Sequence, residues 1–347
     1  MKFYSFKGYS NNVGFIKFIA ATAVIISHSF PLYYGNNDKE WLYRFTFGQA
    51  TLGRVAVWIF FFYSGLLVTK SLMNKKNEET FLIDRLKRLF PPLLFVVVCS
   101  TFILGPIVSN LSIGQYFSNI NTWKYLLNGV FIPIHNLPGV FEKNIYPNVV
   151  NGALWTMPVE LICYFVCLMM YKLELLNEKK MPLLGIISIL VILMITFIFW
   201  NLNLDVVVSA VLACLSFFTG MYVFVMRNRI SIKLNYKTIF LIILMFLISN
   251  YYHFLFVSMY IIFPLLLVYL GFGIKQLPKF LGKLGNYSFG MYLCGFPTQQ
   301  TVYYFLGSHI NFPIFIIVNI VLSLFFGWIV YFVVEYKFTN WLDRKIK

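Results

Sequence analysis

The run Gly14-Phe15-Ile16-Lys17-Phe18-Ile19-Ala20-Ala21-Thr22-Ala23-Val24-Ile25-Ile26-Ser27-His28-Ser29-Phe30-Pro31-Leu32-Tyr33-Tyr34 decides how the chain is read. It is long enough to cross a bilayer, which takes about 20 residues at roughly 1.5 Å each. Two ionisable residues stand inside it, Lys17 and His28. At about 100° per residue their spacing amounts to nearly three full turns, so both project from almost the same face. Along the axis they are about 16 Å apart, roughly half the hydrocarbon thickness. A cation near one surface therefore stands in line with an imidazole deep in the membrane. Ionisable side chains there are costly, and they usually face a polar cavity or a partner. A plainer reading stays open beside this one: Lys17 snorkels to the interface and His28 makes a helix–helix hydrogen bond.

The rest of the composition agrees with a membrane protein. The chain is 60% hydrophobic, 20% aromatic and 12% charged, with a mean hydropathy of +0.76. Soluble domains are nearer half apolar and a quarter charged. The net charge of +16 would suggest nucleic acid in a soluble protein, but its distribution points elsewhere, and no nucleic-acid partner is expected. All five cysteines (Cys99, Cys163, Cys167, Cys214 and Cys294) fall in apolar runs without metal-ligand or disulfide spacing. No metal is expected. The first apolar run is too long for the h-region of a signal peptide and reads as an uncleaved span.

Hydropathy gives an all-α polytopic bundle of about ten spans, near 13–35, 51–72, 88–109, 150–172, 182–201, 205–226, 236–252, 254–272, 287–307 and 312–334. Asn250-Tyr251-Tyr252-His253 splits the seventh from the eighth, and Pro264 is placed to kink the eighth. The basic residues then sort by side. Twenty-three lie at the termini or in alternate loops, and five (Lys39, Arg44, Arg54, Lys124 and Lys143) lie on the opposite side. This asymmetry places both termini in the cytoplasm, with membrane lipids as partners. Residues 1–347 are expected to form a single membrane domain with no fused soluble domain. The longest connection, about 110–149, is expected outside, either as a lid or substrate-facing loop or as a disordered connector.

Four further stretches carry candidate chemistry. Trp58-Ile59-Phe60-Phe61-Phe62-Tyr63-Ser64-Gly65 ends in a small polar spot, at Ser64 and Gly65, where another helix can approach closely. Arg85-Leu86-Lys87-Arg88 precedes Pro91-Pro92; Arg85 and Arg88 share a helix face, and their guanidinium forks suit a phosphorylated ligand or serve only as topology signals. Leu154-Trp155-Thr156-Met157-Pro158-Val159-Glu160 puts a carboxylate at the edge of hydrocarbon. Glu160 can orient an imidazole such as His28 and raise its basicity, or form a structural ion pair. Tyr287-Ser288-Phe289-Gly290-Met291-Tyr292 leads on to Phe296-Pro297-Thr298-Gln299-Gln300. Asn286 is placed to cap that helix. Gln299 and Gln300 can hydrogen-bond a sugar or a neighbouring helix.

Taken together, these stretches resemble the membrane acyltransferase-3 family, which includes O-acetylases of bacterial surface polysaccharides. Lys17, ten residues and His28 match the family's Arg, ten residues and His, with Lys in place of Arg. Phe60 to Leu67 looks like its Phe-Phe-x-x-Ser-Gly signature. Arg85 to Arg88 is similar to its Arg-x-x-Arg motif, Leu154 to Glu160 to its Leu-Trp-Ser/Thr-x-x-x-Glu block, and Tyr287 to Tyr292 with Phe296-Pro297 to its late Ser-Tyr-Gly-x-Tyr block. The resemblance runs in order from about residue 10 to 335.

It implies a multi-pass protein of the bacterial cytoplasmic membrane that transfers an acyl group, usually acetyl from acetyl-CoA, to a hydroxyl of a surface glycan or a lipid-linked saccharide. His28 is then the catalytic residue and Glu160 its orienting partner. Lys17, Arg85 and Arg88 bind the acyl-CoA. Ser64, Trp155, Tyr287, Ser288 and Gln299 belong to substrate or structural motifs. Lys is a point charge without the guanidinium fork, so Lys17 changes the detail of donor contact. Gly295 stands where many members carry a second His. A secondary transporter or flippase of a lipid-linked glycan is the competing class; it favours inverted repeats, which are not seen.

The topology is directly testable. Reporters placed after Lys347 and near Lys75 should both register the cytoplasm, and one near Asn136 the outside. Signals from the same side at Lys75 and Asn136 would refute the span assignment.

Overall fold

A computed structural model describes residues 12–74, 78–202, 205–229 and 236–338. The expected cytoplasmic termini and Lys75 lie outside the described residues. Among those residues the fold is helical, with no strand and one isolated bridge between Ser109 and Val140. The principal helices are α1 (Val13–Tyr34), α2 (Leu52–Asn74), α3 (Glu78–Cys99), α4 (Thr156–Lys172), α5 (Met181–Leu202), α6 (Asp205–Val225), α7 (Tyr236–Tyr251), α8 (Leu255–Ile261), α9 (Phe263–Val268), α10 (Ser288–Leu306) and α11 (Phe312–Ile329). Wide π-type turns extend α3 over Ser100–Leu104, α9 over Tyr269–Gly273 and α11 over Val330–Phe338.

Among the described residues, seven helical stretches are long and apolar enough to cross a membrane. Three further expected spans are helical on α4, α7 and α10, but the first two are short and α10 carries four polar side chains from Thr298 to Thr301. Length and hydropathy by themselves thus support seven spans. The fourth expected span also starts later than its hydropathy suggests, because α4 begins only at Thr156. Pro264 lies in the first turn of α9, and the apolar stretch breaks at Ile262 just before it. The polar break after α7 is a turn in which His253 takes a left-handed φ of 61°. Asn286 is not the cap of α10. Tyr287 holds that position without a side-chain bond, and Asn286 Nδ2 instead donates to Tyr331 Oη at 3.3 Å.

The chain divides into two compact units, one of residues 1–17, 41–81 and 159–283, the other of residues 18–40, 82–158 and 284–347. The first unit is organised by α2 against α6. A Cβ at Gly65 would collide with the carbonyl of Phe217, and one at Gly220 with the carbonyl of Phe62. Two backbones in such contact need small residues on both sides, as Ser64-Gly65 suggested. Phe62, Tyr63 and Leu66 then pack with Val223, Phe224, Leu267 and Val268. Tyr63 Oη donates to the Leu267 carbonyl at 2.6 Å. The turn between α7 and α8 is held by Gln49, whose amide donates to the Asn250 carbonyl at 3.2 Å and accepts from Leu255 N–H at 3.1 Å.

In the second unit α1, α10 and α11 stack in layers. Ile25 and Ser323 flank Gly295, where a Cβ would stand 3.2 Å from Ile25 Cγ1 and 3.8 Å from Ser323 Oγ. One turn on, Gln299 meets Ser29. A further turn on, Tyr33 lies 6.1 Å from Tyr303 and 5.3 Å from Phe315. Pro31 stands inside the last turns of α1.

The connection from 109 to 155 is ordered and belongs to this unit. Ser112 and Gln115 form a capping box on a short helix, Ile113–Ser118. Tyr116 is fully buried against Gly105 and donates to the Thr101 carbonyl at 2.9 Å. Its burial pushes the phenol up to about 12, so it remains a donor at physiological pH. Asn128 bonds the carbonyls of Tyr125 and Ile134, both at 2.8 Å, and accepts from Ile134 N–H. The segment is therefore a fixed piece of the fold, neither a loose connector nor a free lid.

Gly65→Leu should lower the unfolding midpoint in detergent by an amount equal to about 1–3 kcal/mol or more, because the added side chain has to part α2 from α6. Gly114→Ala, which meets open space, should leave the midpoint unchanged or slightly raised. Equal midpoints for the two variants would argue against the backbone contact.

Candidate active site

His28 lies in the second unit, flanked by residues that fix its turn of helix. Its ring is half-buried and meets Phe296 of α10 edge-to-face, with centroids 5.3 Å apart. Among the described residues neither ring nitrogen has a hydrogen-bond partner. The backbone around it is held from α10. Gln299, fully buried, donates to the Ile25 carbonyl at 2.7 Å and to Ser29 Oγ at 2.8 Å, so its amide brackets His28 in the chain. Gln299 thus bonds a neighbouring helix, one of its two sequence readings. The residue before His28, Ser27, donates at 3.0 Å to Glu40, a fully buried carboxylate.

Phe296 also packs against the segment ahead of α4. A Cβ on Gly152 would stand 2.8 Å from the Phe296 ring, and Tyr146 lies 6.1 Å from it. Asn151 donates to the Leu293 carbonyl at 2.8 Å, and Thr156 Oγ1 and Tyr292 Oη are 2.8 Å apart. Gln300 donates to the carbonyls of Tyr146 and Val149 at 2.7 and 2.8 Å and accepts from Asn144 Nδ2 at 2.8 Å. Every one of these bonds ties α10 to the 144–156 segment. Trp155 is half-buried in the turn that precedes α4.

Arg85 and Arg88 also belong to this unit, on one side of α3, with Arg85 half-buried and Arg88 exposed. Glu335, in the π-type turn after α11, is near enough to Arg88 for their charges to attract. At the start of α10, Tyr287 packs on Tyr331 with ring centroids 5.5 Å apart, and Ser288 Oγ donates to the Gly285 carbonyl at 2.7 Å. These two residues shape the helix start.

The first unit holds the other carboxylate. Glu160 Oε1 accepts from Ser64 Oγ at 3.0 Å and from Tyr164 Oη at 2.5 Å. Ser64 therefore does more than admit a neighbouring helix, because it is one of two hydroxyl donors holding Glu160. A carboxyl group within a largely apolar helix needs such partners. Lys17, on the first turns of α1, belongs to this unit and is half-buried.

Glu40, Ser27, Asn151 and Glu335 were missed from sequence. Glu335, a carboxylate directly after Val333-Val334, carried a readable signal. Glu40 sits in a polar stretch after α1, where nothing distinguishes a buried carboxylate from an exposed one.

A family profile described as an acyltransferase domain, the acyltransferase-3 family, matches residues 11–332. An O-acetyl transferase of Shigella phage Sf6 is 26% identical over 350 residues, covering 97% of this chain and 98% of the relative. Nodulation protein 10 of Rhizobium leguminosarum bv. viciae is 25% identical over 172 residues, covering 48% of this chain and 45% of the relative. No solved structure matches. The chain belongs to the acyltransferase-3 family and is an acyltransferase.

Glu160→Gln separates charge from geometry at the first-unit carboxylate. The amide oxygen can still accept from Ser64 and Tyr164, so the unfolding midpoint should shift by the equivalent of less than about 1 kcal/mol. Acyl transfer should fall by more than tenfold. A midpoint that drops while the residual activity per folded molecule is normal would assign Glu160 to packing.

Proposed function

We propose that this family member carries an acyl group, acetyl in the simplest case, from acetyl-CoA to a hydroxyl of a cell-surface glycan or lipid-linked saccharide. The family supports acyl transfer, and the name of the Sf6 relative supports acetyl as the group and oxygen as the acceptor atom. The observation that carries the reading is His28: a half-buried imidazole in a membrane helix whose ring nitrogens are unpaired among the described residues, in a turn fixed by Gln299. A histidine kept for packing would be expected to satisfy its polar atoms within the bundle.

In the proposed reaction His28 takes the proton of the acceptor hydroxyl. The oxygen attacks the thioester carbonyl, the new C–O bond forms and the C–S bond breaks. The departing thiolate recovers the proton from the imidazolium. Arg85 and Arg88 bind the phosphates of the donor as two guanidiniums on one helix side. Lys17 adds positive charge for the same ligand. Glu160 contributes as a carboxyl group held by two hydroxyls.

His28→Ala should reduce transfer by roughly 10²–10⁴-fold in membranes that contain normal amounts of the protein. Normal glycan acetylation by a well-expressed His28→Ala chain would end its catalytic assignment. The double change Arg85→Ala with Arg88→Ala should raise KM for acetyl-CoA more than it lowers kcat, because ground-state phosphate contacts act mainly on binding. Lys17→Arg should keep activity.

A further inference from the structure

The second unit contains a cavity of about 320 Å³ within the 109–149 segment, apart from the residues assigned to catalysis. Asn121, Asn136, Asn148, Lys124 and Glu142 supply its polar lining, and Leu137 and Pro138 part of its apolar wall. We infer that this cleft binds the saccharide acceptor, as a neutral polyhydroxylated ligand. The inference rests on the acyl-transfer reading above and adds where the acceptor docks.

The chemistry of the lining selects the ligand class. Each carboxamide presents a donor and an acceptor in one plane, which matches a pair of neighbouring hydroxyls. The one cation and the one anion balance, so the cleft has no net charge with which to attract a phosphate or a metal ion. The apolar wall suits the C–H face of a sugar ring. The volume lies at the small end of the range for ligand sites, roughly 300–1,000 Å³.

The cleft is also built, not a gap between loose loops. Asn110 N–H donates to the Gly139 carbonyl at 3.0 Å, and Ser109 Oγ to that of Pro138 at 2.9 Å. Asn110 Nδ2 fixes Glu142 at 2.6 Å. Gly139 takes a φ of 72°, the conformation that brings its backbone against Ser109 and Asn110. A rigid cleft loses little entropy on binding.

Its location supports the same use. Asn148 lies two residues from Tyr146, whose ring is 6.1 Å from Phe296, and Phe296 meets the His28 ring at 5.3 Å. One short stretch of chain, residues 146–148, thus lines the cleft at one end and at the other meets the ring that packs on the candidate base. The charge distribution of the loops places this segment on the outer side, where a surface glycan is found.

Saturation-transfer NMR on the protein in nanodiscs, without acyl donor, tests the assignment. The probes are cellobiose and maltose, with triglycine as the non-sugar control. At least one disaccharide should give a signal, and the double change Asn121→Ala with Asn136→Ala should reduce it at least fivefold. Both residues are exposed, so the unfolding midpoint should not move. In transfer assays the same variant should raise KM for the acceptor about tenfold and leave KM for acetyl-CoA unchanged. Silence from both disaccharides, an equal signal from triglycine, or an undiminished signal in the variant overturns the proposal. Because binding is read without donor, such a result leaves acyl transfer standing. A wild-type chain that binds sugar but transfers no acyl group has the opposite meaning.

Discussion

The fully buried carboxamide of Gln299 makes two short bonds to α1, one to a main-chain carbonyl and one to a hydroxyl. In hydrocarbon every backbone polar group has to be satisfied from within the protein. A continuous helix does this unaided, but this fold is full of interruptions. α7 breaks from α8, α8 from α9, and α4 is preceded by a non-helical turn. At such points a buried side-chain amide takes over. Gln49 serves the α7–α8 turn, Asn151 and Gln300 the segment before α4, and Asn12 the chain after the turn at Tyr269–Gly273, where it bonds the carbonyls of Leu270 and Lys275 and the N–H of Leu277. The amides make irregular backbone possible where the helices are interrupted, and in the second unit Gln299 and Gln300 hold α10 to α1 and to the segment before α4.

Carboxylates follow the same logic with higher stakes. Glu160 is met by two hydroxyls and Glu40 by at least one. Removing a single hydroxyl from such a group leaves part of a charge unsolvated, which costs far more than the bond itself contributes. The hydroxyls of Ser27, Ser64 and Tyr164 are therefore as much a part of the polar interior as the acids they hold.

Much of this was legible in the order of residues. Runs of apolar side chains mark their helices whatever their neighbours do, so the elements fell close to where hydropathy put them. Ser64-Gly65 announced a close helix contact, and Pro264 and the Asn250–His253 stretch announced breaks, because each acts through local sterics. Partners could not be read. Nothing near Gln299 in sequence names Ile25, and nothing near Glu160 names Ser64; these pairs depend on which helices become neighbours. The ordered 109–155 segment was opaque for a related reason. Its order comes from scattered buried groups (Tyr116, Tyr125, Asn128, Asn144), none of which shows a period. Asn286 had the right chemistry for a cap, but Tyr331 lay within its reach.

Pro31 gives α1 an uneven stiffness. A proline in a helix has no N–H to offer the carbonyl four residues earlier, here that of Ser27. Past it the helix continues to Tyr34, and Gly35 N–H closes its end on the Pro31 carbonyl at 2.9 Å. The turns of α1 that carry Tyr33 and Tyr34 are therefore joined to the rest of the helix by one bond fewer, and the missing bond falls beside His28.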